Sequence, residues 1–501
     1  MKMDSKRVGF LLGLTLFIII LILPTPEGMA PEAWRVTAVA ILMATWWITE
    51  AIPLPATSLL PIILFPLLGI MDSRSTTLSY GDHVIFLFMG GFFLAVTMER
   101  WKLHRRIALF ILRLSGDTPS KLILGFVVAT SFLSMWISNT ATAVMMVPIG
   151  LSVISQVTGK KGEGSVIDEK RKKQESNFAK SLMLSIAYSA SIGGFITIIG
   201  TPPNIIMAGI LERVYGIRVG FAQWMMVSIP ISLTLLVCMY LLVTKVLFRT
   251  DDLKLAGGKE FVIEEMKKLG QMTRAEKMIL LIGGFMAFSW IFRELIIRIP
   301  GLSLVTDTTI AIMGSLLLFL CPAFRDGERL LNWDTAVKIP WSVVLLFGGG
   351  LTLASGFEKT GLATWVGANL ENLRGIGLLL FVFTTVLVAN VLTEFMSNTA
   401  IATLFIPIMC ATAIAVGFHP FAAAVPTAVA ASFSFMMPHA TPPNAIAFGS
   451  GHLRMKDMAG TGAILNLAGQ VVCTVVVVFL LGLIWGVDLT VAPIELSRLF
   501  P

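Results

Sequence analysis

Long apolar runs govern what this chain can become. About eleven of them follow one another, and most of the charge sits in the segments between. Hydrophobic residues make up 56% of the 501 and charged residues only 14%, against roughly 25% charged in a typical globular domain. Within hydrocarbon each backbone polar group must be satisfied inside the protein, so such runs read as transmembrane helices. The expected class is an all-α polytopic membrane protein with about eleven transmembrane helices. The formal charge of +8 falls in loops and is a topology signal rather than a nucleic-acid footprint. Cys238, Cys321, Cys410 and Cys473 lie inside apolar runs without metal or redox spacing and read as buried thiols. The first run, 8–23, follows Lys2, Lys6 and Arg7. With many spans after it and no small-residue cleavage site, it reads as an uncleaved first helix.

One polar triplet interrupts this pattern twice. Ser138-Asn139-Thr140 separates apolar arms 121–137 and 141–157, and Ser397-Asn398-Thr399 separates arms 377–396 and 400–416. Basic segments, 100–113 and 159–180, flank both ends of the first pair. Its arms therefore start and finish on one side and form a re-entrant hairpin with the triplet at its tip. Non-helical backbone at that depth must be buried in protein or line a cavity. Two further helices, 181–211 and 421–450, carry Thr201-Pro202-Pro203-Asn204 and Thr441-Pro442-Pro443-Asn444. Consecutive prolines remove backbone donors and break them.

The triplets are 259 residues apart, and the same offset maps Phe88 on Phe347, Gly90-Gly91 on Gly349-Gly350, Glu99 on Glu358 and Pro148 on Pro407. The Pro-Pro breaks are 240 apart. This divides the chain into a first helix (1–33), a repeat (34–248), a cytoplasmic linker (249–277), a second repeat (278–486) and an external tail (487–501). Counting basic residues places the N-terminus in the cytoplasm and the C-terminus outside, with the two repeats inverted. Inverted repeats with breaks at matching places are the signature of a secondary transporter binding its substrate near the midplane.

The site chemistry follows from the residue types. Each tip offers a serine, an amide and a threonine hydroxyl, and starts a new helix. Thr201-Pro202 and Thr441-Pro442 start two more, proline being suited to the first turn. A helix N-terminus carries about half a positive charge and holds a carboxylate without a fixed cation. Two related tips suit a small anion with two carboxylates. Carbonyl and side-chain oxygens in the same loops suit a hard cation such as Na⁺. A lone triplet in a soluble protein would be a helix cap; its doubling beside a doubled break favours a site. Glu99 and Glu358 read as structural, and His83 and His104 as interfacial. Glu394 is an intramembrane acid three residues before the second tip, a candidate without a legible partner. His439, two residues before the second Thr-Pro-Pro-Asn, is the only titratable side chain within the triplets and breaks. No His-Glu-x-x-His, Gly-x-Ser-x-Gly or paired-aspartate motif occurs, so an enzyme is not expected and no cofactor is called for beyond a coupling ion.

These motifs, with Ala445 and Gly449-Ser450-Gly451 downstream, resemble those of the divalent anion:sodium symporter family of di- and tricarboxylate transporters, over nearly the whole chain. The resemblance implies a homodimer in the plasma membrane, with scaffold and transport domains and an elevator movement. It implies carriage of C4 or C5 dicarboxylates of the succinate, malate, fumarate and 2-oxoglutarate type. Ser138, Asn139, Thr140, Thr201 and Pro202, with Ser397, Asn398, Thr399, Thr441 and Pro442, would frame the substrate. Two sodium sites would be framed by Ser138, Asn139, Gly200 and Asn204, and by Ser397, Asn398, Ala440 and Asn444. Sodium-coupled members of that family carry an apolar residue where this chain has His439. An imidazolium there could stand in for bound Na⁺, which tilts the expectation toward dicarboxylate exchange over sodium symport. An anion channel is the remaining alternative, which saturable counterflow would exclude.

Overall fold

The computed structural model describes residues 5–116, 118–159, 169–249, 258–323, 327–369 and 375–493. Lys160, Lys161, Arg325 and the end of the expected tail lie outside them. The described residues are overwhelmingly helical, with one isolated bridge, Pro322 to Arg329.

The first hairpin is built from Pro119–Ser134 and Asn139–Gly159, the second from Leu378–Thr393 and Asn398–Ala415. Both ends of the outgoing arm and the start of the returning arm recur at the 259-residue offset. A sixteen-residue arm rises about 24 Å, less than the roughly 30 Å of a hydrocarbon core. Neither outgoing arm is long enough to cross such a layer by itself. Thr118 starts the first arm by accepting the Lys121 N–H at 3.4 Å, with Pro119 in the first turn.

Among the described residues, five helical stretches are long and apolar enough to cross a membrane: Ser73–Arg100, Phe221–Leu247, Trp341–Lys359, Asn398–Ala415 and Met455–Trp485. Several expected spans are shorter because proline divides them. The apolar run 54–67 splits into Leu54–Thr57 and Leu60–Leu67, each with proline in its first turn. The broken helices divide into Glu169–Gly194 and Pro202–Tyr215, and into Phe421–Ala430 and Pro442–Gly449. The matched glycine pairs permit close approach: a Cβ at Gly90 would overlap the Ala311 backbone, and one at Gly349 the Ser58 carbonyl.

The segment 249–277, expected as a cytoplasmic linker, carries the helix Gly258–Leu269, which packs on the amphipathic helix Leu103–Leu114. Arg106 locks the two together. Its Nε donates to Glu276 Oε1 at 2.7 Å, and its Nη atoms reach the Leu269 and Gly270 carbonyls at 3.1 and 2.9 Å. These are the orphan carbonyls of a helix C-terminus. Glu276 is buried, so losing its partner strands a charge. Arg106→Ala is expected to cost about 3 kcal/mol of stability, read as a lowered melting temperature of the purified protein. Arg113→Ala on the same helix should leave it unchanged.

Candidate functional site

The two tips share one device. Asn139 and Asn398 are the first residues of the returning arms, and each is held by a hydroxyl five residues earlier. Ser134 Oγ lies 2.7 Å from Asn139 Oδ1 and 2.6 Å from the Ala190 carbonyl. Thr393 Oγ1 lies 2.8 Å from Asn398 Oδ1 and 2.7 Å from the Ala431 carbonyl. With the amide oxygens turned this way, the Ser134 and Thr393 hydroxyls each face two acceptors. The second tip adds Ser434 Oγ, 3.0 Å from Asn398 Oδ1. The residue 240 earlier is Gly194, where a Cβ would overlap the Asn139 amide. One half thus fills this spot with a hydroxyl and the other leaves it to the amide itself.

The breaks also repeat in detail. Asn204 Nδ2 donates to the Thr197 carbonyl at 2.7 Å, and Asn444 Nδ2 to the Met437 carbonyl at 3.0 Å and the Ser434 carbonyl at 2.8 Å. Gly200 and Ala440 close matching turns, their N–H groups meeting the Thr197 and Met437 carbonyls. Both asparagines are fully buried, and both leave Oδ1 without a donor. Thr441 Oγ1 is buried without a partner as well. Buried acceptors without donors are costly, and a hard cation with oxygen ligands is the chemistry that satisfies them. Among the described residues no three His, Cys, Asp or Glu side chains cluster as a metal site. The oxygens left without donors belong to two side-chain amides and a hydroxyl, the ligand type that suits a hard cation. Thr201 and Thr441 make no side-chain cap bond, while Pro202 and Pro442 occupy the first turns.

The two tips differ in their helix caps. Ser138 Oγ does accept the Ala141 N–H, at 3.2 Å, whereas Ser397 caps nothing. Ser138 and Thr140 are exposed, and Ser397 and Thr399 half-buried. Thr399 lines a cavity of about 300 Å³ together with Lys6, Glu50, Pro53 and Ser342.

Packing crosses between the halves. The helix after the second break, Pro442–Gly449, lies against Asn139–Gly159, and the helix after the first break, Pro202–Tyr215, lies against Asn398–Ala415. The breaks meet through Phe195 and Phe433, ring centroids 5.9 Å apart. The two halves therefore pack on one another through their hairpin return arms and the helices that follow the breaks.

Glu394 acquires partners that the sequence did not show. Buried at 4% exposure, it accepts the N–H groups of Phe435 and Met436 at 2.9 Å, of Met437 at 3.0 Å, and Asn466 Nδ2 at 2.8 Å. His439 stands exposed beside the same break. His83, expected as interfacial, has partners that the sequence did not show. Its ring lies 3.2 Å from Asp82 and 3.3 Å from Glu212, and Arg213 also reaches Asp82 at 3.2 Å. Sequence reasoning missed Ser134, Thr393 and Asn466. The first two carried a signal, a hydroxyl at the same offset five residues before each tip asparagine.

Comparison with known proteins gives concordant results. The family described as the sodium:sulfate symporter transmembrane region matches residues 4–491. The sodium-dependent dicarboxylate transporter SdcS of Staphylococcus saprophyticus is 40% identical over 489 residues, 97% of this chain and 93% of that one. The protein of the same name from Staphylococcus aureus is 42% identical over 490 residues, with the same coverage. Among solved structures the fold is similar to that of Neisseria gonorrhoeae MtrF, presented as illuminating a class of antimetabolite efflux pumps, with TM-score 0.57, 12% identity, and coverage of 96% of this chain and 100% of that one. It is also similar to the Alcanivorax borkumensis YdaH transporter, with TM-score 0.52, 13% identity and coverage of 96% and 97%.

Gly194→Ala tests the first tip. The added methyl should displace the Asn139 amide and abolish part of the stabilisation by NaCl over KCl in a thermal melt of purified protein. Ser434→Ala, which only removes a hydroxyl, should weaken that stabilisation less.

Proposed function

Because this chain belongs to the family of the sodium:sulfate symporter transmembrane region, we propose that it is a secondary active transporter that carries C4 or C5 dicarboxylates together with Na⁺. The observation that carries this reading is the doubled oxygen-rich pocket: Ser134, Asn139 and Asn204 in one half, Thr393, Asn398 and Asn444 in the other. Each pocket holds acceptors in excess of protons. Na⁺ bound there supplies the missing positive charge, and the same asparagines present their remaining polar atoms to a substrate carboxylate. Thr140 and Thr399 contribute hydroxyls, and the helices beginning at Pro202 and Pro442 contribute N-terminal dipoles. One carboxylate on each tip selects for a small dianion. Binding then depends on both ions, since the substrate's charge is compensated by the sodium beneath it. The names of the relatives at 40 to 42% identity point the same way.

The transporter works across the plasma membrane as a homodimer, its repeats inverted and its N-terminus in the cytoplasm. The hairpins and broken helices move together against a scaffold of the remaining helices in an elevator step. Such a step would break the ion pairs joining Asp82 and His83 to Glu212 and Arg213.

A second reading, exchange of dicarboxylates, rests on His439. It is the less favoured here because that side chain is exposed, while the orphaned Oδ1 atoms lie buried in both halves. Uptake of labelled succinate into proteoliposomes separates the two. Strong uptake into empty vesicles only with external Na⁺ supports coupling. Uptake that needs internal dicarboxylate and ignores Na⁺ would instead establish exchange. Asn139→Ala and Asn398→Ala should each abolish uptake with expression unchanged; normal transport by both would remove these residues from the site.

A further inference from the structure

The two halves match in their oxygens but not in their charge. No acid lies in the first hairpin or its break, whereas Glu394 adjoins the second tip. At the 259-residue offset its counterpart is Met135, which contributes only its backbone carbonyl, accepting Thr197 Oγ1 at 2.6 Å. The first break is tied down through its carbonyls, with Trp224 Nε1 on Phe195 at 3.0 Å and Ser228 Oγ on Ile196 at 2.5 Å. The second is tied down through its amides, by a carboxylate.

That carboxylate faces four N–H donors, and among the described residues no Lys, Arg or His pairs with it. A buried anion compensated only by dipoles is costly. Its field has a defined direction. The Ser434–Phe435 peptide turns its N–H to Glu394 and its carbonyl to Asn444 Nδ2, because a trans peptide points the two groups oppositely. Thr393, the neighbouring residue, holds Asn398 Oδ1. The negative charge thus stands one peptide unit behind the oxygens of the second pocket, in a low-dielectric setting where such a charge acts strongly.

Resting on the sodium-coupled reading above, we infer that Glu394 is the positioning residue that makes the two sodium pockets unequal. It orients the carbonyls of the second break and lends that pocket a net charge, so the second pocket binds Na⁺ the more tightly. Asn466, donating to the same carboxylate, tempers the effect.

The test measures Na⁺ half-saturation of succinate uptake in proteoliposomes containing the wild-type protein, Glu394→Gln, Glu394→Asp and Asn466→Ala. Wild-type uptake indifferent to Na⁺ overturns the coupling reading, and this inference with it. Given Na⁺-dependent wild-type uptake, Glu394→Gln should raise the half-saturation about tenfold, while succinate affinity at saturating Na⁺ stays near the wild-type value. Glu394→Asp, keeping the charge, should recover most of the loss. Asn466→Ala removes one compensating dipole and should lower the half-saturation about twofold. That opposite sign is what a merely structural role would not produce, and it decides the matter if Glu394→Gln does not fold. An unchanged half-saturation in a folded Glu394→Gln, or an unchanged or raised one in Asn466→Ala, overturns the inference.

Discussion

A backbone broken inside hydrocarbon has nowhere to put its polar groups except into the protein, and the rest of this structure depends on that constraint. Each half breaks twice, at a hairpin tip and at a Pro-Pro turn. Each break is closed by side chains whose spacing is repeated. Ser134 and Thr393 hold the tip asparagines, and Asn204 and Asn444 donate to break carbonyls. Once these donors are spent, what remains is oxygen. A surplus of buried acceptors is a poor core and a good seat for a hard cation, so the economy that permits the breaks also creates the candidate binding chemistry.

The halves solve this problem with different partners. Indole and hydroxyl groups, Trp224 and Ser228, donate to the first break, while a carboxylate, Glu394, accepts from the second. Gly194 and Ser434 occupy one position of the repeat with opposite consequences for the neighbouring asparagine amide. Pseudo-symmetric geometry therefore coexists with unlike electrostatics. The proposed sodium-coupled transport would use such inequality, since identical pockets would fill without order.

Much of the architecture was legible before any coordinates. The boundaries of the hairpin arms repeat at the offset already present in the triplets, because the arms and tips are local: an apolar run, a polar stop, and a helix restart. Proline positions likewise announced the breaks. The helix Gly258–Leu269 was not anticipated, since its charge suggested a linker and its stability comes from Arg106 on a distant helix. His83 looked interfacial for the same reason. Its partner Glu212 is 129 residues away, a distance across which composition is silent.

By itself the sequence pointed to an apolar solvent, to most of the helices and to the places where they break, because those follow from hydropathy, proline chemistry and a fixed offset. Only the tertiary structure decided which half leans on which, with Pro442–Gly449 against the first hairpin's return arm and Pro202–Tyr215 against the second's. It alone decided that Glu394 belongs to the second break, since that assignment rests on three backbone amides more than forty residues along the chain. Backbone donors carry no sequence signal. An acid satisfied by them looks unpaired until the fold brings them together.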